Sequence, residues 1–253
     1  MQVDWSPLRH ALYGYRRDGL SLPIWWRDDD AIAPTPALDR LLQVSTNVEL
    51  PVHLAVIPDH AETALARHIS GVQAFVPIVH GWRHENHAPH NAKKSEFGVF
   101  RATGRSELAW ALETMRALFG AKVLAFFVPP WNRLDAAYLP TLNELGYKGF
   151  STYGARLSAR SAASLVQINT HFDPIDWRGT RGLIEHDVLI AGIVKLLEER
   201  RIRATDPEEP LGFLTHHLVH DERLWTFAER LLQELLEGGA VAQPIAPLLE
   251  NNQ

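Results

Sequence analysis

The stretch Pro23-Ile24-Trp25-Trp26-Arg27-Asp28-Asp29-Asp30 decides the fold class. Its apolar part is continuous rather than alternating, which is typical of a strand in a parallel sheet that is buried on both faces. Similar runs recur along the chain, and amphipathic helical patterns lie between them. The predicted strands are 23–30, 51–58, 74–81, 123–130, 147–154, 166–175 and 211–217. The predicted helices are 35–47, 61–70, 106–120, 135–146, 183–201 and 221–238.

Repeated strand and helix units favour an α/β fold with a parallel sheet. Seven strands and six helices predict a (β/α) barrel, distorted or open, and a doubly wound open sheet is the alternative. We find no Gly/Ser linker, low-complexity block or clear repeat, so we expect one domain over residues 1–253. Thr35-Pro36 supports the predicted helix boundaries, since it supplies an N-cap followed by Pro at the first helical position.

Composition excludes several classes of protein. The chain has 253 residues and no cysteine, so a disulfide framework, a thiolate zinc site and a cysteine nucleophile are excluded. The net charge of −5 makes the chain a poor candidate for nucleic-acid binding. No apolar run is long enough for a transmembrane segment, and Met1–Gly19 lacks the apolar core of a secretory signal. We therefore expect a soluble, cytoplasmic protein.

Polar clusters stand where the predicted strands end, which is where α/β barrels place their active sites. The first strand runs into Asp28, Asp29 and Asp30. An acidic turn or a helix cap is the simplest interpretation, but Thr35 already supplies the next cap. Three adjacent carboxylates repel one another unless a cation compensates their charge. The triplet is therefore a candidate for metal binding or catalysis.

The third strand ends in His80-Gly81-Trp82-Arg83-His84. Two histidines four residues apart point the same way if the chain turns helically, and two imidazoles plus a carboxylate are a catalytic metal set with an open position. A pair of packing histidines is an equal alternative. The loop that follows carries polar residues that we expect to be solvent-exposed, although its histidines could also be ligands: His87, His90, Lys93 and Lys94.

Three further strand ends carry polar or aromatic residues. Pro129-Pro130-Trp131-Asn132 predicts a rigid corner. His171–Trp177 places Asp173, Asp176 and Trp177 at another strand end, where a capped turn is the alternative. The last strand leads to His216, a candidate general acid because the intrinsic pKa of histidine lies near neutrality.

This order of residues resembles the polysaccharide deacetylases of carbohydrate esterase family four, the NodB-homology group. The family's first motif, an Asp-Asp pair, is matched within Asp28–Asp30. Its second motif, His-(Ser/Thr)-x-x-His, is matched by His80 and His84 with Gly81 in the hydroxyl position. Its third motif, Arg-x-Pro-(Tyr/Trp), is matched at Pro130 and Trp131, with Val128 in place of the Arg.

The remaining two motifs follow in the same order. A DxxDW-like segment is matched by Asp173, Asp176 and Trp177, and a Leu-x-His motif is matched by Leu214 and His216. The resemblance covers about residues 24–221. The missing motif-three Arg, the absent Gly after the Asp pair and the lack of a signal peptide distinguish the chain from exported deacetylases. We therefore expect a divergent, intracellular branch with a distorted (β/α)7 barrel.

The resemblance implies a metal-dependent hydrolase that removes N-acetyl or other acyl groups from an amino sugar or glycan, a reaction at a non-peptide carbon–nitrogen bond. Asp30, His80 and His84 would hold a divalent metal, and the resemblance favours Zn²⁺. Trp131 would offer its backbone N–H to the oxyanion, and His216 would protonate the leaving amine. The substrate-binding candidates are Trp131, Asn132, Asp176 and Trp177.

Two alternatives use the same scaffold: an amidohydrolase acting on a non-sugar small amide, and a non-catalytic glycan-binding module. The sequence also leaves two registers for the acids, with Asp28 and Asp29 or Asp29 and Asp30 as base and ligand. We favour Asp29 as base, because residues i and i+2 share a strand face and Arg27 can then supply the charge lost at Val128.

Overall fold

A computed structural model describes residues 3–161 and 163–250 of the chain. Parallel strands form a curled sheet in the order β6-β5-β4-β3-β2-β1-β7, and β8 pairs with the start of β1. The strands are β1 (Leu22–Ala31), β2 (Val52–Val56), β3 (Phe75–His80), β4 (Phe126–Val128), β5 (Gly149–Phe150), β6 (Val166–Gln167), β7 (Leu211–Thr215) and β8 (Ala240–Ala242). The predicted distorted (β/α)7 barrel is confirmed, and the doubly wound sheet is excluded.

Helices connect the strands and cover the outside of the sheet. They are α1 (Ser6–Arg17), α2 (Pro36–Val48), α3 (Thr63–Ile69), α4 (Gly104–Phe119), α5 (Leu139–Glu144), α6 (His186–Arg201), α7 (Glu222–Glu237) and α8 (Ala246–Glu250). As predicted, Thr35 caps α2, and its hydroxyl accepts a hydrogen bond from the Leu38 N–H at 3.1 Å. No helix in residues 3–161 and 163–250 is both long and apolar enough to cross a membrane.

The barrel is most irregular between β6 and β7. The strand predicted over 166–175 ends at Gln167, and the chain beyond it reaches β7 through a single bridge between Phe172 and Phe213. Strands predicted over 123–130 and 147–154 are likewise cut to Phe126–Val128 and Gly149–Phe150. The distortion places irregular backbone, rather than strand, around one side of the barrel mouth.

Three elements were not predicted: α1, β8 and α8. The helix α1 has a buried stripe at i, i+3 and i+4 spacing, formed by Leu8, Ala11, Leu12 and Tyr15. It packs against α6 and α7 rather than beside its nearest strand in sequence. The strand–helix alternation on which the prediction rests begins only at residue 23, so it does not extend to this helix.

Side-chain alternation along β1 separates the barrel interior from the helix layer. Trp25 belongs to an inner cluster with residues of the neighbouring strands, among them Ala55, Ile78 and Phe126. Trp26 belongs to the larger outer cluster, which contains the apolar faces of the helices. Both rings are fully buried. The same alternation sends Arg27 toward the interior and Asp28 toward the outer layer, and so determines how the acidic triplet is used.

Candidate active site

The end of β1 brings two consecutive acids to the same cavity. Strict alternation would place Asp29 inside and Asp30 outside. Instead, the register between β1 and β2 shifts between Asp28 and Ala31, and Asp30 has a φ of 75°. An irregularity of this kind re-aims one side chain of a strand. Asp29 and Asp30 therefore both line the barrel mouth.

Asp30, His80 and His84 form one cluster of potential metal ligands. The Oδ1 atom of Asp30 lies 3.1 Å from His80 Nε2 and 3.3 Å from His84 Nε2. Ligand atoms of one tetrahedral zinc ion, bound at about 2.0–2.1 Å, lie about 3.3 Å apart. The three ligand atoms lie within 4.8 Å of one another. The spacing therefore fits a divalent metal.

Hydrogen bonding around His80 also fits a cation. Its Nδ1 atom lies 3.1 Å from the carbonyl oxygen of Val128, which can only accept, so Nδ1 carries the hydrogen. Neutral His80 then presents a lone pair at Nε2 to the Asp30 carboxylate, and two acceptors need a proton or a metal between them. Burial lowers the pKa of His84, which favours the neutral, metal-binding form of its imidazole.

The charges of the cluster stabilise one another. Burial by itself would raise the pKa of Asp30, but the hydrogen bond and charge of His80 hold that pKa well below its usual range. Burial would lower the pKa of His80, whereas the charges of Asp29 and Asp30 raise it above its usual value. Asp30 is therefore a carboxylate, the form that binds a metal.

The turn that carries His84 is held by Glu96, which sequence reasoning missed. Its carboxylate accepts hydrogen bonds from the backbone N–H groups of Trp82 at 3.1 Å and Arg83 at 2.7 Å. Gly81 has a φ of 60°, and a Cβ atom there would lie 2.1 Å from Glu96 Oε2. Glycine is thus required at the family's hydroxyl position, because a buried carboxylate fills that space.

Arg27 lies beneath the cavity lining and forms an ion pair with Asp29. Its Nη2 atom donates to Asp29 Oδ2 at 3.0 Å and to Asn132 Oδ1 at 2.7 Å, and its Nη1 atom donates to Ser151 Oγ at 2.7 Å. A second ion-pair contact joins Nε to Asp29 Oδ1 at 2.9 Å, although these atoms are not aligned as a hydrogen bond. The guanidinium is completely buried.

His216 faces the cavity from the end of β7. Its Nε2 atom lies 4.0 Å from Asp29 Oδ2, and its Nδ1 atom lies 3.6 Å from Asp173 Oδ2, beyond hydrogen-bond length. Asp173 also accepts a hydrogen bond from Trp177 Nε1 at 2.7 Å, and the Trp177 and His216 rings pack edge-on. Burial raises the pKa of Asp173, whereas the charge of His216 lowers it. Asp173 therefore lies beside the imidazole without a hydrogen bond to it, and His216 Nδ1 is buried with no hydrogen-bond partner.

Asp28, which the sequence retained as a catalytic candidate, lies outside the cavity. Its carboxylate accepts hydrogen bonds from Thr215 Oγ1 at 2.6 Å and from His217, through Nδ1 at 2.5 Å and the backbone N–H at 3.0 Å. Asp28, Thr215 and His217 are buried on the opposite face of their strands from Asp29 and His216. This trio connects β1 to the end of β7, so Asp28 is structural.

Asp176, a substrate-binding candidate, also lies outside the cavity lining. Its carboxylate accepts hydrogen bonds from the backbone N–H groups of Gly179 at 3.0 Å and Thr180 at 3.1 Å. It therefore shapes the loop that follows Trp177. His87 and His90 are exposed on their loop, and neither belongs to the Asp30–His80–His84 cluster.

The cavity itself has a volume of about 620 Å³. Trp131 lies beside His84, with 4.2 Å between the ring centroids. Positive φ angles occur at His84 (58°), Trp131 (56°) and Asn132 (58°), as well as at Asp30. Such non-glycine conformations cost about 1–3 kcal/mol each and cluster at functional sites. The lining residues are Asp29, Asp30, His80, His84, Lys94, Trp131, Asn132, Arg133, Tyr153, Asp173, Ile175, Trp177, Arg181, Ile184, Leu214 and His216.

Several lining residues were not among the predicted site residues. Tyr153 follows β5, so the rule that strand ends carry function could have identified it. Asp173 belongs to the DxxDW-like segment, for which the resemblance implies substrate binding only at Asp176 and Trp177. Lys94, Arg133 and Arg181 lie on loops with no periodic signal, and only the folded chain shows that they face the cavity.

Comparison with known proteins identifies the fold. The chain matches no protein-family model and no curated protein. Among solved structures, a family 4 carbohydrate esterase from Streptomyces lividans in complex with acetate has 17% sequence identity and a TM-score of 0.55, and the match covers 89% of this chain and 94% of that one. These values show a shared fold.

Two further structures have the same fold. A peptidoglycan N-acetylglucosamine deacetylase is 14% identical with a TM-score of 0.57, and the match covers 88% of this chain and 86% of that one. A family 4 pseudoenzyme from Bacillus anthracis is 14% identical with a TM-score of 0.56, and the match covers 91% and 66%. The fold expected from the family resemblance is confirmed. Since the fold carries both enzymes and pseudoenzymes, chemistry must be argued from the site residues.

Proposed function

We propose that this chain is a metal-dependent hydrolase that removes an N-acetyl or other acyl group from an amino sugar. One observation carries the proposal: Asp30, His80 and His84 converge at the same cavity as Asp29 and His216. The potential metal ligands, a candidate base and a candidate acid are thus within reach of one acyl group of a substrate. The fold shared with deacetylases supports this reaction class.

The two imidazoles and the carboxylate suit zinc, which takes nitrogen and oxygen ligands and in catalytic sites keeps one position open. When bound, the metal supplies Lewis acidity toward water and toward the acyl carbonyl. The Val128 carbonyl orients His80 for this purpose by holding the hydrogen on Nδ1. The Glu96 carboxylate orients His84 by holding its turn.

Asp29 is the general base in this proposal. Its carboxylate removes a proton from the attacking water, and the buried Arg27 beside it stabilises the negative charge before that transfer. The hydrogen bonds from Arg27 to Asn132 and Ser151 fix the guanidinium. The guanidinium in turn holds the Asp29 carboxylate in one orientation toward the cavity. A base held in place adds no reorganisation to the barrier.

His216 is the general acid. Its Nε2 atom faces Asp29 across the cavity, and protonated His216 donates to the nitrogen of the leaving amine as the carbon–nitrogen bond breaks. Asp173 stabilises the imidazolium through Nδ1. The resemblance assigns the backbone N–H of Trp131 to the oxyanion, and Trp131 lies beside the ligand His84.

Exposed aromatic side chains at the cavity suit a sugar ring. Trp177 is 42% exposed and Tyr153 is 50% exposed, and both rings line the cavity. The two rings line the cavity together with its polar groups, and such a mixture of aromatic and polar side chains is typical of small-molecule sites. The apolar faces of an amino sugar can pack against these rings while its acyl group reaches the metal cluster.

The test combines metal analysis with product release. The purified protein is expected to bind one divalent ion per chain, and His80→Ala and His84→Ala to lose most of it. The loaded protein should release acetate from at least one N-acetylated sugar in a panel that also contains non-sugar amides. Metal binding without acetate release from any compound would contradict the catalytic proposal and favour a binding module. Unchanged metal content in both variants would contradict the site.

A further inference from the structure

Three cationic side chains line the same cavity as the proposed catalytic groups: Lys94, Arg133 and Arg181. They come from three separate segments, since Lys94 follows the His84 turn, Arg133 follows β4 and Arg181 follows Trp177 in the loop before α6. The sequence predicted only that Lys94 is solvated. It is exposed, but it lies at the rim of the cavity.

The carboxylates of the cavity do not neutralise these cations, because each has another partner. Asp29 pairs with Arg27, Asp30 lies against His80 and His84, and Asp173 faces His216. Among residues 3–161 and 163–250, no ion pair joins a carboxylate to the three rim cations, whereas many arginines elsewhere are paired. The rim of the cavity is therefore positive in a chain whose net charge is −5.

Two of the cations lie on loops that are joined, and the third lies beside an aromatic ring of the site. Arg133 Nη1 donates a hydrogen bond to the backbone oxygen of Lys94 at 2.7 Å, which joins their two loops. The guanidinium of Arg181 lies 6.0 Å from the centre of the Trp177 ring, and that ring contacts His216. An adjoining cavity of about 500 Å³ shares Arg133 with the first cavity and adds Lys93. The positive rim thus continues away from the metal cluster.

We propose that Lys94, Arg133 and Arg181 form an anion subsite and that the substrate is an N-acylated amino sugar bearing a phosphate group. This rests on the proposed function for the position of the acyl group. Two guanidinium groups and one ammonium match the several oxygens of a phosphate, because arginine binds phosphate through paired N–H donors. The phosphate lies over the rim, and the sugar lies between the rim and the metal cluster.

Two sources of phosphate have the same chemistry, a sugar 1-phosphate and a nucleoside diphosphate sugar. The compared ligands are N-acetylglucosamine 1-phosphate, UDP-N-acetylglucosamine, and the neutral N-acetylglucosamine and its dimer. Binding is measured by calorimetry on metal-loaded His216→Ala, in which turnover is slow enough not to consume the ligand during the measurement. We expect the phosphorylated sugars to bind about a hundredfold more tightly than the neutral ones, because two charged side chains of the rim each contribute about tenfold. Tighter binding of the nucleotide sugar than of the 1-phosphate would identify a nucleotide as the source.

The rim is tested with Lys94→Gln and Arg181→Gln, alone and together, in the same background. Each single variant should lose about tenfold in affinity for the 1-phosphate. The double variant should bind phosphorylated and neutral sugars with similar affinity. Arg178→Gln is the matched control, since Arg178 is an exposed cation on the same loop but does not line the cavity. The Arg178→Gln variant should keep the preference for phosphorylated over neutral sugars. Added salt should weaken this preference in every protein that shows it.

The outcomes separate this subsite from the proposed function. Equal affinity for phosphorylated and neutral sugars, or a preference that survives in the double variant, would overturn the subsite. Acetate release by the unsubstituted protein from neutral sugars alone would also overturn it, and would leave the hydrolase proposal standing. A phosphate preference that depends on Lys94 and Arg181, without acetate release from any compound, would support the subsite and contradict the hydrolase.

Discussion

Arg27 and Asp29, two residues apart on β1, form a buried ion pair inside the barrel. The guanidinium donates to the carboxylate at 3.0 Å and has two further acceptors in Ser151 and Asn132. Alternation along the strand places both side chains on one face, which is why a cation from β1 can compensate for the valine at position 128. We infer that Arg27 takes the place of the arginine that the family resemblance leads us to expect at position 128.

Breaking this pair should cost both stability and activity. We expect Arg27→Met to lower the free energy of unfolding by about 3–5 kcal/mol, because the buried Asp29 carboxylate loses its partner. Urea unfolding measures the change. Turnover should also fall, while metal content stays at the unsubstituted level.

The double variant Arg27→Met with Asp29→Asn is the control for the pair. Because it removes the uncompensated charge as well, its stability should exceed that of Arg27→Met alone. Unfolding at the same urea concentration for Arg27→Met and the unsubstituted protein would contradict the prediction.

The three adjacent acids should give three different phenotypes. Asp30→Asn should lose most of the bound metal, since Asp30 lies against both ligand imidazoles. Asp29→Asn should keep the metal and lose activity. Asp28→Asn should keep metal and activity but lower the unfolding free energy by about 1.5–3 kcal/mol, because it weakens hydrogen bonds of a charged group to His217 and Thr215. Metal analysis, acetate release and urea unfolding on all three variants check the order. A fully active Asp29→Asn protein would falsify the assignment of the base.

Substitutions of the neighbouring residues His216 and His217 should also have different effects. His216→Ala is expected to keep the metal and to reduce turnover by roughly two to four orders of magnitude, which is typical of a lost general acid. His217→Ala should chiefly lower stability, because it leaves the buried Asp28 without its imidazole partner. Turnover corrected for the folded fraction distinguishes the two. A larger loss of corrected turnover in His217→Ala would contradict the strand register.

Much of this arrangement could be predicted from residue types and strand alternation. The apolar run before Asp28 predicts a buried strand, and alternation predicts that Arg27 and Asp29 share its inner face. The Leu-x-His spacing likewise selects His216 over His217. Arg27 and Asp29 do lie on one face, because alternation depends only on neighbours two residues away in a regular strand.

The remaining features depend on contacts between distant segments. Alternation predicts that Asp30 points outward, and only the bulge with its positive φ turns it into the cavity. Glu96 lies 12 residues beyond His84 in sequence, with no periodic relation to the turn that it holds. The strands predicted at 147–154 and 166–175 are longer than those in the structure. Apolar residues there are buried without pairing to a neighbouring strand.

Gly81 should not accept the hydroxyl residue that the family carries. A side chain there meets Glu96 Oε2 at 2.1 Å and Pro130 at 2.5 Å, in a backbone with a φ of 60°. We expect Gly81→Ser to lower stability by more than about 2 kcal/mol and to reduce metal occupancy, since the turn before His84 must move. Gly71→Ser is the control, because Gly71 has a φ of 78° and open space around it. It should cost only about 1–2 kcal/mol of backbone strain and keep the metal. Equal effects of the two substitutions on metal occupancy would contradict the role of Glu96.

The last prediction concerns His53, a buried histidine away from the cavity. Its Nδ1 atom donates to the Trp26 carbonyl at 3.1 Å, and its Nε2 atom accepts from the Ile245 N–H at 3.3 Å, so the native ring is neutral. Burial lowers its pKa from 6.5 to about 4, against the opposing hydrogen bond to Trp26.

The sign of the pH effect follows from this direction. Between pH 6.5 and about 4 the unfolded chain takes up a proton at His53 that the native state does not, so stability present above pH 6.5 is lost as the pH falls. At about 1.4 kcal/mol for each pH unit, His53 contributes roughly 3 kcal/mol to that loss. Urea unfolding at intervals from pH 7 to pH 4 should show a loss smaller by about this amount in His53→Gln, whose side chain does not titrate. Parallel pH profiles for the two proteins would show that folding does not lower the pKa of His53, contrary to its burial and hydrogen bonds.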